Sequence, residues 1–378
     1  MKILHVYKDY YPVVGGIENH LRQVAEAQAA AGHAVSVLAT SRTRHTHIEH
    51  LQGVRVIFAA RLATVASTPL SLALPLALGR ERPDITHLHF PYPVGDVAQA
   101  LCGRGARTVI TYHSDIVRQK TLLNVYAPLL RRTLERADGL IATSPRYVET
   151  SPFLAAVAAR CTVIPYGIDP SRFESGDPAQ TAALREKYGQ PLILFVGQLR
   201  YYKGVDYLIR AMARVDARAL LVGGDSSRRR AELEDLARSL GVGERVIFLG
   251  QQEQALPALY QACDIFVLPS IERSEAFAIV QLEAMAAGRP VVSCDVGTGV
   301  AWVNQHGVTG LVVAPREPEQ LAAAMNQLLA DPALRQSMGA AGRERVRQQF
   351  TQVQMLERIE ALYERVLAQP PRVHTIAL

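Results

Sequence analysis

Residues 265–292, IFVLPSIERSEAFAIVQLEAMAAGRPVV, carry the pattern that decides the fold class. An apolar run ends at Pro269, and a polar loop then leads into a segment of helix-favouring residues. We expect a helix over about 276–287, which Gly288 ends. A second apolar run, RPVVSC, follows at once. A strand, a helix and a strand in this order predict one unit of a parallel sheet.

The same alternation of apolar runs and helix-like stretches extends along most of the chain. The first set of runs is KILHVY, AVSVLAT, VRVIFA, DITHLHF, RTVITYH and GLIATS, and the second is LILFVG, ALLVGG, RVIFLG, IFVLPS, RPVVSC and GLVVAP. Continuous apolar strands separated by helices are typical of parallel sheets covered on both faces. Two such sets in 378 residues predict two doubly wound, Rossmann-like α/β domains.

The segment PYGIDPSRF, residues 165–173, is the best candidate for the domain boundary, because Pro, Gly and Asp interrupt the periodicity there. We therefore predict a first domain over 1–168 and a second over 169–352. The segment TQVQMLERIEALYERVLAQ predicts an amphipathic helix near the end of the chain. Ligands of such sheets bind beyond the carboxyl ends of the strands, so the cleft between the domains is the expected site.

Positive charge is concentrated in the first half of the chain. Residues 1–168 hold 18 Lys+Arg against 11 Asp+Glu, a net +7, and the remainder holds 23 against 24, a net −1. One interpretation is an Arg-rich background without function; the other is an anionic partner, either a membrane surface or a phosphorylated substrate. No long Lys/Arg run with interleaved aromatics occurs, so nucleic acid is not expected. Six basic residues outside the predicted strands are candidate membrane contacts: Arg104, Arg107, Arg118, Lys120, Arg131 and Arg132.

Cysteine usage and the N-terminal sequence indicate a cytosolic protein. Four scattered cysteines and an opening MKILHVY without the features of a secretory signal favour reduced thiols. The apolar segment 62–78 lies at the short limit of a bilayer span, which is about 17 residues, and Pro69 and Pro75 interrupt it. It predicts a broken buried helix, or one on a membrane surface, rather than a transmembrane helix.

Several motifs that would indicate other chemistries are missing from the sequence. No G-x-G-x-x-G follows the opening strand and no loop ends in Gly-Lys-Ser/Thr, which argues against dinucleotide dehydrogenases and P-loop enzymes. No His-Glu-x-x-His or Cys-x-x-Cys is present, so a zinc site is not expected. Asp-x-Asp, a common way to hold a divalent cation against a nucleotide diphosphate, is also missing. We therefore expect neither a metal nor a cofactor.

Two glutamates, Glu275 and Glu283, stand in a small, apolar run with seven residues between them. On the predicted helix their backbones would be roughly 12 Å apart. Paired carboxylates that act on one glycosidic bond are closer, at roughly 5 to 9.5 Å. Separate roles at two ends of one extended ligand are therefore favoured over a hydrolase pair.

The start of the predicted helix offers a place for the middle of that ligand. The unpaired amides of Phe277, Ala278 and Ile279 would attract a phosphate. A diphosphate flanked by two carboxylates, which hydrogen-bond sugar and ribose hydroxyls, describes a nucleotide sugar. The alternative is structural: Glu275 would be a helix-start acid and Glu283 a salt-bridge partner.

This stretch resembles the signature of glycosyltransferase family 4, retaining enzymes whose motif has two glutamates with seven residues between them. Further segments resemble the family in the same order along nearly the whole chain: PVVGGIENH, DITHLHFP, TYHSD, VIPYGIDPSRF, FVGQLRYYKGVDYLI, LVGGD, VIFLG, FVLPSIERSEAF and GVTGLVVAP. The resemblance implies the GT-B fold, in which two Rossmann-like domains face each other across a cleft. It also implies that residues 1–168 bind the acceptor, that 169–352 bind the nucleotide sugar, and that 353–378 pack back on the first domain.

Residue roles follow from the resemblance. It implies that Glu275 lies beside the transferred sugar, that Glu283 holds the ribose and that Lys203 binds the diphosphate. Other positions that match donor-site motifs are Gly15 and Gly16, in the glycine loop near the phosphate, and His113, near the sugar and the leaving group. Glu275, His113 and Lys203 are thus the candidate catalytic residues.

The sequence departs from the family pattern at two places. Gln198 stands where the family usually has arginine, and Arg200 is a candidate replacement for that charge. Ala276 and Ala278 stand where the family commonly has glycines, which would narrow the space for sugar or phosphate.

The implied reaction transfers a hexose, first of all mannose from GDP-mannose, to a saccharide acceptor with retention of configuration. The local sequence is similar to mannosyl- and rhamnosyltransferases of bacterial surface polysaccharides, which implies a lipid-linked acceptor in lipopolysaccharide or exopolysaccharide synthesis. UDP- and dTDP-sugars stay open as donors. The protein is expected in the cytoplasm, as a peripheral protein on the inner face of the cytoplasmic membrane. An anionic membrane surface is a further candidate partner.

Two alternatives to a transferase also stay open. A non-catalytic nucleotide-sugar or saccharide-binding protein of the same fold is disfavoured, because Glu275, Lys203 and Glu283 are all present. An epimerase of the same fold would need acids or bases at C2 of the sugar, and none can be identified in the sequence.

Overall fold

The structure, a computed structural model, describes residues 1–13, 15–65, 68–117, 119–224 and 227–370. The chain divides into two units. The first comprises Met1–Ile164 and the described residues from Met355 onward, and the second comprises Pro165–Gln354. The division thus falls at the start of the PYGIDPSRF segment.

The first unit is built on an eight-stranded sheet, and all of the six strands predicted for it are confirmed. The strands are β1 (Lys2–Val6), β2 (Ala34–Thr40), β3 (His47–Leu51), β4 (Val54–Ala59), β5 (Ala63–Val65), β6 (Thr68–Leu70), β7 (Ile85–Phe90), β8 (Arg107–Tyr112), β9 (Gly139–Ala142) and β10 (Cys161–Val163). The sheet order is β10-β9-β8-β7-β1-β2-β4-β3, and β5 pairs with β6 in a separate hairpin. Within the described part of the chain, β3 is the one strand of the large sheet that runs antiparallel to its neighbour. The other strands pair in parallel, as expected for apolar runs that are buried on both faces.

Among the residues that the structure describes, these strands are connected by the α-helices α1 (Gly16–Ala30), α2 (Ala73–Leu78), α3 (Pro93–Cys102), α4 (Lys120–Arg136) and α5 (Pro145–Thr150). The apolar segment 62–78 does not form the single broken helix that its composition predicts. It forms the hairpin strands β5 and β6 and the short helix α2, while positions 66 and 67 lie outside the described residues. No helix in the described ranges combines the length and the apolar character needed to cross a bilayer.

The second unit contains a six-stranded parallel sheet, and its six predicted strands are confirmed. They are β11 (Leu192–Val196), β12 (Arg218–Val222), β13 (Val246–Gly250), β14 (Ile265–Leu268), β15 (Val291–Cys294) and β16 (Gly310–Val313), in the order β13-β12-β11-β14-β15-β16. Its helices are α6 (Ser171–Glu174), α7 (Pro178–Tyr188), α8 (Val205–Ala211), α9 (Ser227–Ser239), α10 (Leu256–Ala262), α11 (Val280–Ala286), α12 (Val300–Val303), α13 (Pro318–Ala330) and α14 (Pro332–Gln349).

The last helix, α15 (Gln352–Ala368), packs on the first unit through an apolar stripe. The members of the stripe follow helical spacing and are buried: Met355, Ile359, Leu362, Tyr363 and Val366. Arg107, the first residue of β8, is buried, and its guanidinium donates to the carbonyl oxygens of Val366 (3.0 Å) and Gln369. The prediction that Arg107 is an exposed membrane contact outside a strand is therefore wrong.

Candidate active site

The centre of the second sheet has the topology that creates a ligand crevice in open α/β sheets. From β11 the chain continues outward to β12 and β13, whereas β14, β15 and β16 extend in the other direction. Strands β11 and β14 are neighbours, so their carboxyl ends lie at a topological switch point. The loop after β11 carries Lys203, and the loop after β14 carries Glu275.

Backbone and side-chain hydrogen bonds join these two loops. The Ile271 amide donates to the Tyr202 carbonyl at 2.8 Å, and the Tyr201 hydroxyl donates to Glu272 at 2.8 Å. Gly204 has φ +66°, and a β-carbon there would lie 2.0 Å from the carbonyl oxygen of Pro269. Glycine is therefore the residue that allows the loops to approach so closely.

Lys203 and Glu275 form a buried ion pair. The Lys203 Nζ lies 2.5 Å from Glu275 Oε2, and the two side chains are only 11% and 8% exposed. The Ser270 hydroxyl donates to the same oxygen at 3.0 Å. Burial is the largest influence and would lower the pKa of Lys203, but the charge and hydrogen bond of Glu275, together with Tyr202, outweigh it and the pKa is raised. Lys203 is therefore a cation at neutral pH.

The backbone around Glu275 is held by the loop after β15. The Thr298 hydroxyl donates to the Glu275 carbonyl at 2.6 Å, and the Gly299 amide donates to the Ala276 carbonyl at 2.9 Å. Three elements, β11, β14 and β15, therefore contribute through the loops that follow them to the position of this carboxylate.

The predicted helix over 276–287 is shorter than expected, since α11 begins at Val280 and ends at Ala286. Phe277 is 1% exposed and packs edge-on against Tyr166 and Phe350. Ala278 takes a left-handed conformation with φ +64°. Burial of the Phe277 ring thus accompanies a non-helical path, and the amides of residues 277–279 precede the helix instead of forming its first turn. The helical estimate of the Glu275–Glu283 separation does not apply for the same reason.

Glu283 lies on α11 and is held by a residue of α10. The Tyr260 hydroxyl donates to Glu283 Oε2 at 2.8 Å. Burial raises the pKa of Glu283, although the Tyr260 hydrogen bond and the charge of Arg172 oppose the increase. Glu283 is therefore a partly buried carboxylate with a fixed orientation.

Gln198 and Arg200 are both exposed in the loop after β11, with the buried Leu199 between them. The Lys203 amide donates to the Arg200 carbonyl at 3.0 Å, so the two residues lie in one turn, and the Arg200 charge acts to lower the pKa of Lys203. The structure therefore brings Lys203, Glu275 and Arg200 into one neighbourhood.

The remaining candidates, Gly15, Gly16 and His113, belong to the first unit. Gly15 caps α1, and a β-carbon on it would lie 2.2 Å from Glu18 Oε2, whereas the space beside Gly16 is open. A phosphate at Gly15 would thus meet the Glu18 carboxylate. His113 follows β8, is buried, and its Nε2 lies 2.9 Å from His89 Nδ1.

Several residues that shape the site were not identified from the sequence. For Ser270 the sequence did offer a signal, because it follows β14 closely and polar side chains beyond the carboxyl ends of such strands commonly contact ligands. Tyr260 and Thr298 carried no signal, because they come from elements distant in the chain from the glutamates that they contact.

Sequence comparisons match both halves of the chain to glycosyltransferases. Residues 177–345 match the family Glycosyl transferases group 1, and residues 14–172 match Glycosyltransferase Family 4. O-antigen chain mannosyltransferase C of Escherichia coli is 37% identical over 374 residues, which are 97% of this chain and 99% of that protein. D-rhamnosyltransferase WbpZ of Pseudomonas aeruginosa is 38% identical over 357 residues, which are 93% of this chain and 92% of that protein.

Solved structures share the architecture over nearly the whole chain. Sucrose-phosphate synthase from Thermosynechococcus elongatus has a TM-score of 0.82 at 26% identity, covering 97% of this chain and 99% of its own. Anabaena HepE, in complex with UDP, has a TM-score of 0.79 at 23% identity, covering 97% and 100%. With family matches in both halves and close relatives along its length, the chain belongs to glycosyltransferase family 4 and has the GT-B fold.

Proposed function

We propose that this glycosyltransferase moves mannose from GDP-mannose to a lipid-linked saccharide acceptor in O-antigen synthesis, with the anomeric configuration retained. The choice of sugar and process is supported by the two bacterial relatives, an O-antigen mannosyltransferase and a rhamnosyltransferase. The observation that carries the chemistry is the buried Lys203–Glu275 pair at the switch point of the second sheet.

Lys203 is the group proposed to stabilise the leaving nucleoside diphosphate. Cleavage of the sugar–phosphate bond leaves negative charge on the diphosphate, and a preorganised cation stabilises this charge as it develops. Arg200, whose carbonyl accepts from the Lys203 amide at 3.0 Å, adds a second positive charge to the same turn. A diphosphate would compete with Glu275 for the Lys203 ammonium, and the carboxylate would then accept a hydrogen bond from a hydroxyl of the transferred sugar.

Glu283 is proposed to hold the ribose of the donor. A carboxylate accepts hydrogen bonds from two neighbouring hydroxyls, and the Tyr260 hydroxyl occupies one oxygen of Glu283, which fixes the direction of the other. The role of His113 and Gly16 beside the sugar and the phosphate stays a prediction from the family resemblance.

Retention is proposed to follow a front-face route, in which the acceptor attacks from the side that the diphosphate leaves. The nearest acidic neighbour in sequence, Glu272, directs its carboxylate to Tyr201 at 2.8 Å and to Arg316 at 3.3 Å. It is thus engaged elsewhere and is a poor candidate for a covalent nucleophile.

The donor assay tests the proposal directly. The protein is incubated with GDP-mannose, UDP-sugars and dTDP-rhamnose, with and without a lipid-linked saccharide, and release of the nucleoside diphosphate is measured. We expect acceptor-dependent release from GDP-mannose, an α-linked product from the α-linked donor, and full activity in excess EDTA. Binding of a nucleotide sugar without release in any combination would instead indicate the non-catalytic binding protein. Loss of activity in EDTA and its recovery with Mg²⁺ would contradict the metal-free diphosphate site.

The acceptor is proposed to be presented at an anionic membrane surface that the first unit contacts. Large apolar side chains that are about half exposed or more occur on its hairpin and on three of its helices: Leu62, Val65, Leu72, Leu76, Leu101 and Val125. Arg104, Arg131 and Arg132 are also exposed, while Arg118 and the side chain of Lys120 lie outside the described residues. Apolar and basic side chains together favour binding at an anionic interface.

Vesicle sedimentation tests this contact. We expect binding to anionic vesicles that falls as salt rises, and weaker binding after Leu72→Ser with Leu76→Ser. Val308→Ser is the matched control, because Val308 is similarly exposed but lies in the second unit. Equal binding to neutral and anionic vesicles would contradict an electrostatic contribution from the basic residues.

A further inference from the structure

The second unit has a surface cavity of about 350 Å³ whose wall carries an excess of positive charge. Three arginines line it: Arg289, Arg335 and Arg343. Among the described residues that line the cavity, Asp264 is the one acid, so the wall has a formal net charge of +2. No residue of this wall has a role in the proposed glycosyl transfer.

The sheet topology separates this cavity from the donor loops. Asp264 directly precedes β14, and Arg289 stands two positions before the start of β15. Lys203 and Glu275 instead lie in the loops that follow β11 and β14. The three strands are parallel, so the cavity lies at their amino ends and the donor loops lie at their carboxyl ends. The four residues of β14, roughly 13 Å, stand between the two.

Helix α14 supplies the facing wall of the cavity through one of its sides. Its lining residues repeat at helical spacing, at positions 332, 335, 336, 340 and 343. Glycines let this helix approach the end of α11 closely, since a β-carbon on Gly339 would lie 2.1 Å from the carbonyl oxygen of Gly288. The arginines of α14 are therefore positioned by packing before any ligand binds.

Structural hydrogen bonds occupy one nitrogen of each guanidinium. Arg335 donates from Nη1 to two carbonyl oxygens in the last turn of α13, each at 2.7 Å. Arg343 donates from Nε to the last carbonyl of α11 at 3.2 Å. Arg289 donates from Nη2 to the backbone and side-chain oxygens of Gln261 at 2.9 and 3.2 Å. A guanidinium has five N–H donors, so anchoring to the protein leaves most of them for another partner.

Arg289 is a desolvated cation with an incomplete set of partners. Its Nε is buried and has no hydrogen-bond acceptor among the described residues. Burial lowers the pKa of Arg289, and the positive charges of Arg185 and Arg343 lower it as well. The Asp264 carboxylate opposes this decrease, but its Oδ2 accepts from the first amide of β11 at 2.8 Å and its Oδ1 lies 4.0 Å from Arg185. Like charges gathered in this way repel one another unless an anion lies between them.

We propose that this cavity binds a dissolved phosphate-bearing molecule through Arg289, Arg335 and Arg343, at a site separate from the donor site. Guanidinium N–H groups match phosphate oxygens in geometry and charge. A phosphate monoester carries a charge of about −1.5 to −2 at pH 7, which balances the +2 of the wall. The volume is at the lower end of ligand pockets, which hold roughly 300–1,000 Å³, so a small phosphate ester fits better than a nucleotide.

Calorimetric titration of the full chain with inorganic phosphate, at an ionic strength held constant with NaCl, tests the site. We expect saturable binding to the unaltered protein. Arg289→Gln should raise the Kd by about ten- to hundredfold, the scale of one charged hydrogen bond. Arg228→Gln is the matched control, because it removes the same charge from a side chain of the second unit that is 90% exposed. It should leave the Kd within about twofold.

A pair of substitutions at Ala340 tests the site without removing a structural hydrogen bond. Ala340 is exposed and lies on the side of α14 that lines the cavity. Ala340→Glu adds a carboxylate beside the arginines, whereas Ala340→Gln adds a neutral side chain of nearly the same size. We expect the Kd for phosphate to be at least about tenfold higher in Ala340→Glu than in Ala340→Gln, since the scale is again that of one charged contact. Equal values in these two variants would overturn the proposal.

The remaining outcomes decide between this cavity and other sources of phosphate binding. Lack of saturable binding to the unaltered protein, or equal losses in Arg289→Gln and Arg228→Gln, would also overturn the proposal. Sedimentation with phosphatidylglycerol vesicles distinguishes a dissolved ligand from a lipid phosphate. We expect Arg289→Gln to leave vesicle binding unchanged. A loss of vesicle binding in this variant but not in Arg228→Gln would assign the cavity to a lipid headgroup and contradict a dissolved ligand.

Discussion

Lys203 and Glu275 come from the loops after two neighbouring parallel strands, and their charged groups meet at 2.5 Å with about nine-tenths of each side chain buried. Charges removed from water in this way depend on each other, because neither has solvent to replace its partner. The pair therefore links the stability of the second unit to the proposed diphosphate chemistry.

Breaking this pair from one side should destabilise the protein strongly. We expect Lys203→Met to lower the free energy of unfolding by about 3–5 kcal/mol, because a buried carboxylate is left unpaired. The double variant Lys203→Met, Glu275→Gln should lose much less than the sum of the single variants. Guanidinium denaturation of the four proteins measures the coupling, and strictly additive losses would show that the pair contributes little.

The two glutamates should affect different kinetic constants. Glu275→Gln should lower kcat, while it leaves or tightens the affinity for free GDP, because Lys203 is released for the diphosphate. Glu283→Ala should weaken GDP binding by about one to two decades, the scale of a charged hydrogen bond of 1.5–3 kcal/mol. Tyr260→Phe should weaken it less, since the carboxylate remains but is no longer oriented. Calorimetric titration with GDP checks the order, and equal affinity in the two glutamate variants would refute it.

Arg200 should contribute more to diphosphate binding than Gln198. Its charge acts on Lys203, whereas Gln198 is neutral. We expect Arg200→Ala to weaken GDP binding by about three- to tenfold and to reduce its salt dependence, with Gln198→Ala as the exposed control in the same loop. Gln198→Arg should tighten binding. A larger loss of GDP affinity from Gln198→Ala than from Arg200→Ala would show that the Gln198 side-chain amide is the group that binds the diphosphate.

Replacement of Ala278 by glycine should affect the stability of the protein more favourably than the same replacement at its loop neighbour Ala276. The left-handed φ of +64° at Ala278 costs an L-residue roughly 1–2 kcal/mol, and glycine avoids this cost. Ala278→Gly should therefore leave the free energy of unfolding unchanged or raise it by up to about 1 kcal/mol. Ala276→Gly, a buried control without a positive φ, should lower it by about 0.5–1 kcal/mol. Similar losses of stability in both variants would contradict backbone strain at Ala278.

The raised pKa of Glu283 predicts a pH-dependent stability. Between its unfolded pKa, near 4.5, and its higher folded pKa, the folded state binds more protons than the unfolded state, so the free energy of unfolding falls as pH rises. Glu283→Gln keeps the acceptor for Tyr260 but cannot ionise. Its stability relative to the unaltered protein should increase with pH above 4.5, by about 1.4 kcal/mol for each pH unit of the interval. A difference that is flat with pH would show that Glu283 has no raised pKa.

Parts of the site were predictable because their signals are local. The strands around Glu275 and Lys203 read as apolar runs bounded by glycine and proline, and the spacing of the glutamates identified the family motif. The start of α11 was not predictable from residues 276–279, which favour helix individually. The buried ring of Phe277 packs there against Tyr166 and Phe350, and such tertiary packing overrides local propensity.

By itself the sequence determined two α/β units, twelve of their strands and the residues that match the family motifs, since periodicity and motif order depend only on neighbours along the chain. Tertiary structure alone decided which side chains meet. It paired Lys203 with Glu275 and Tyr260 with Glu283, and it joined His5, His89 and His113 through the sheet. Such pairs follow from strand order and register, which bring together residues far apart in sequence, and no local pattern records them.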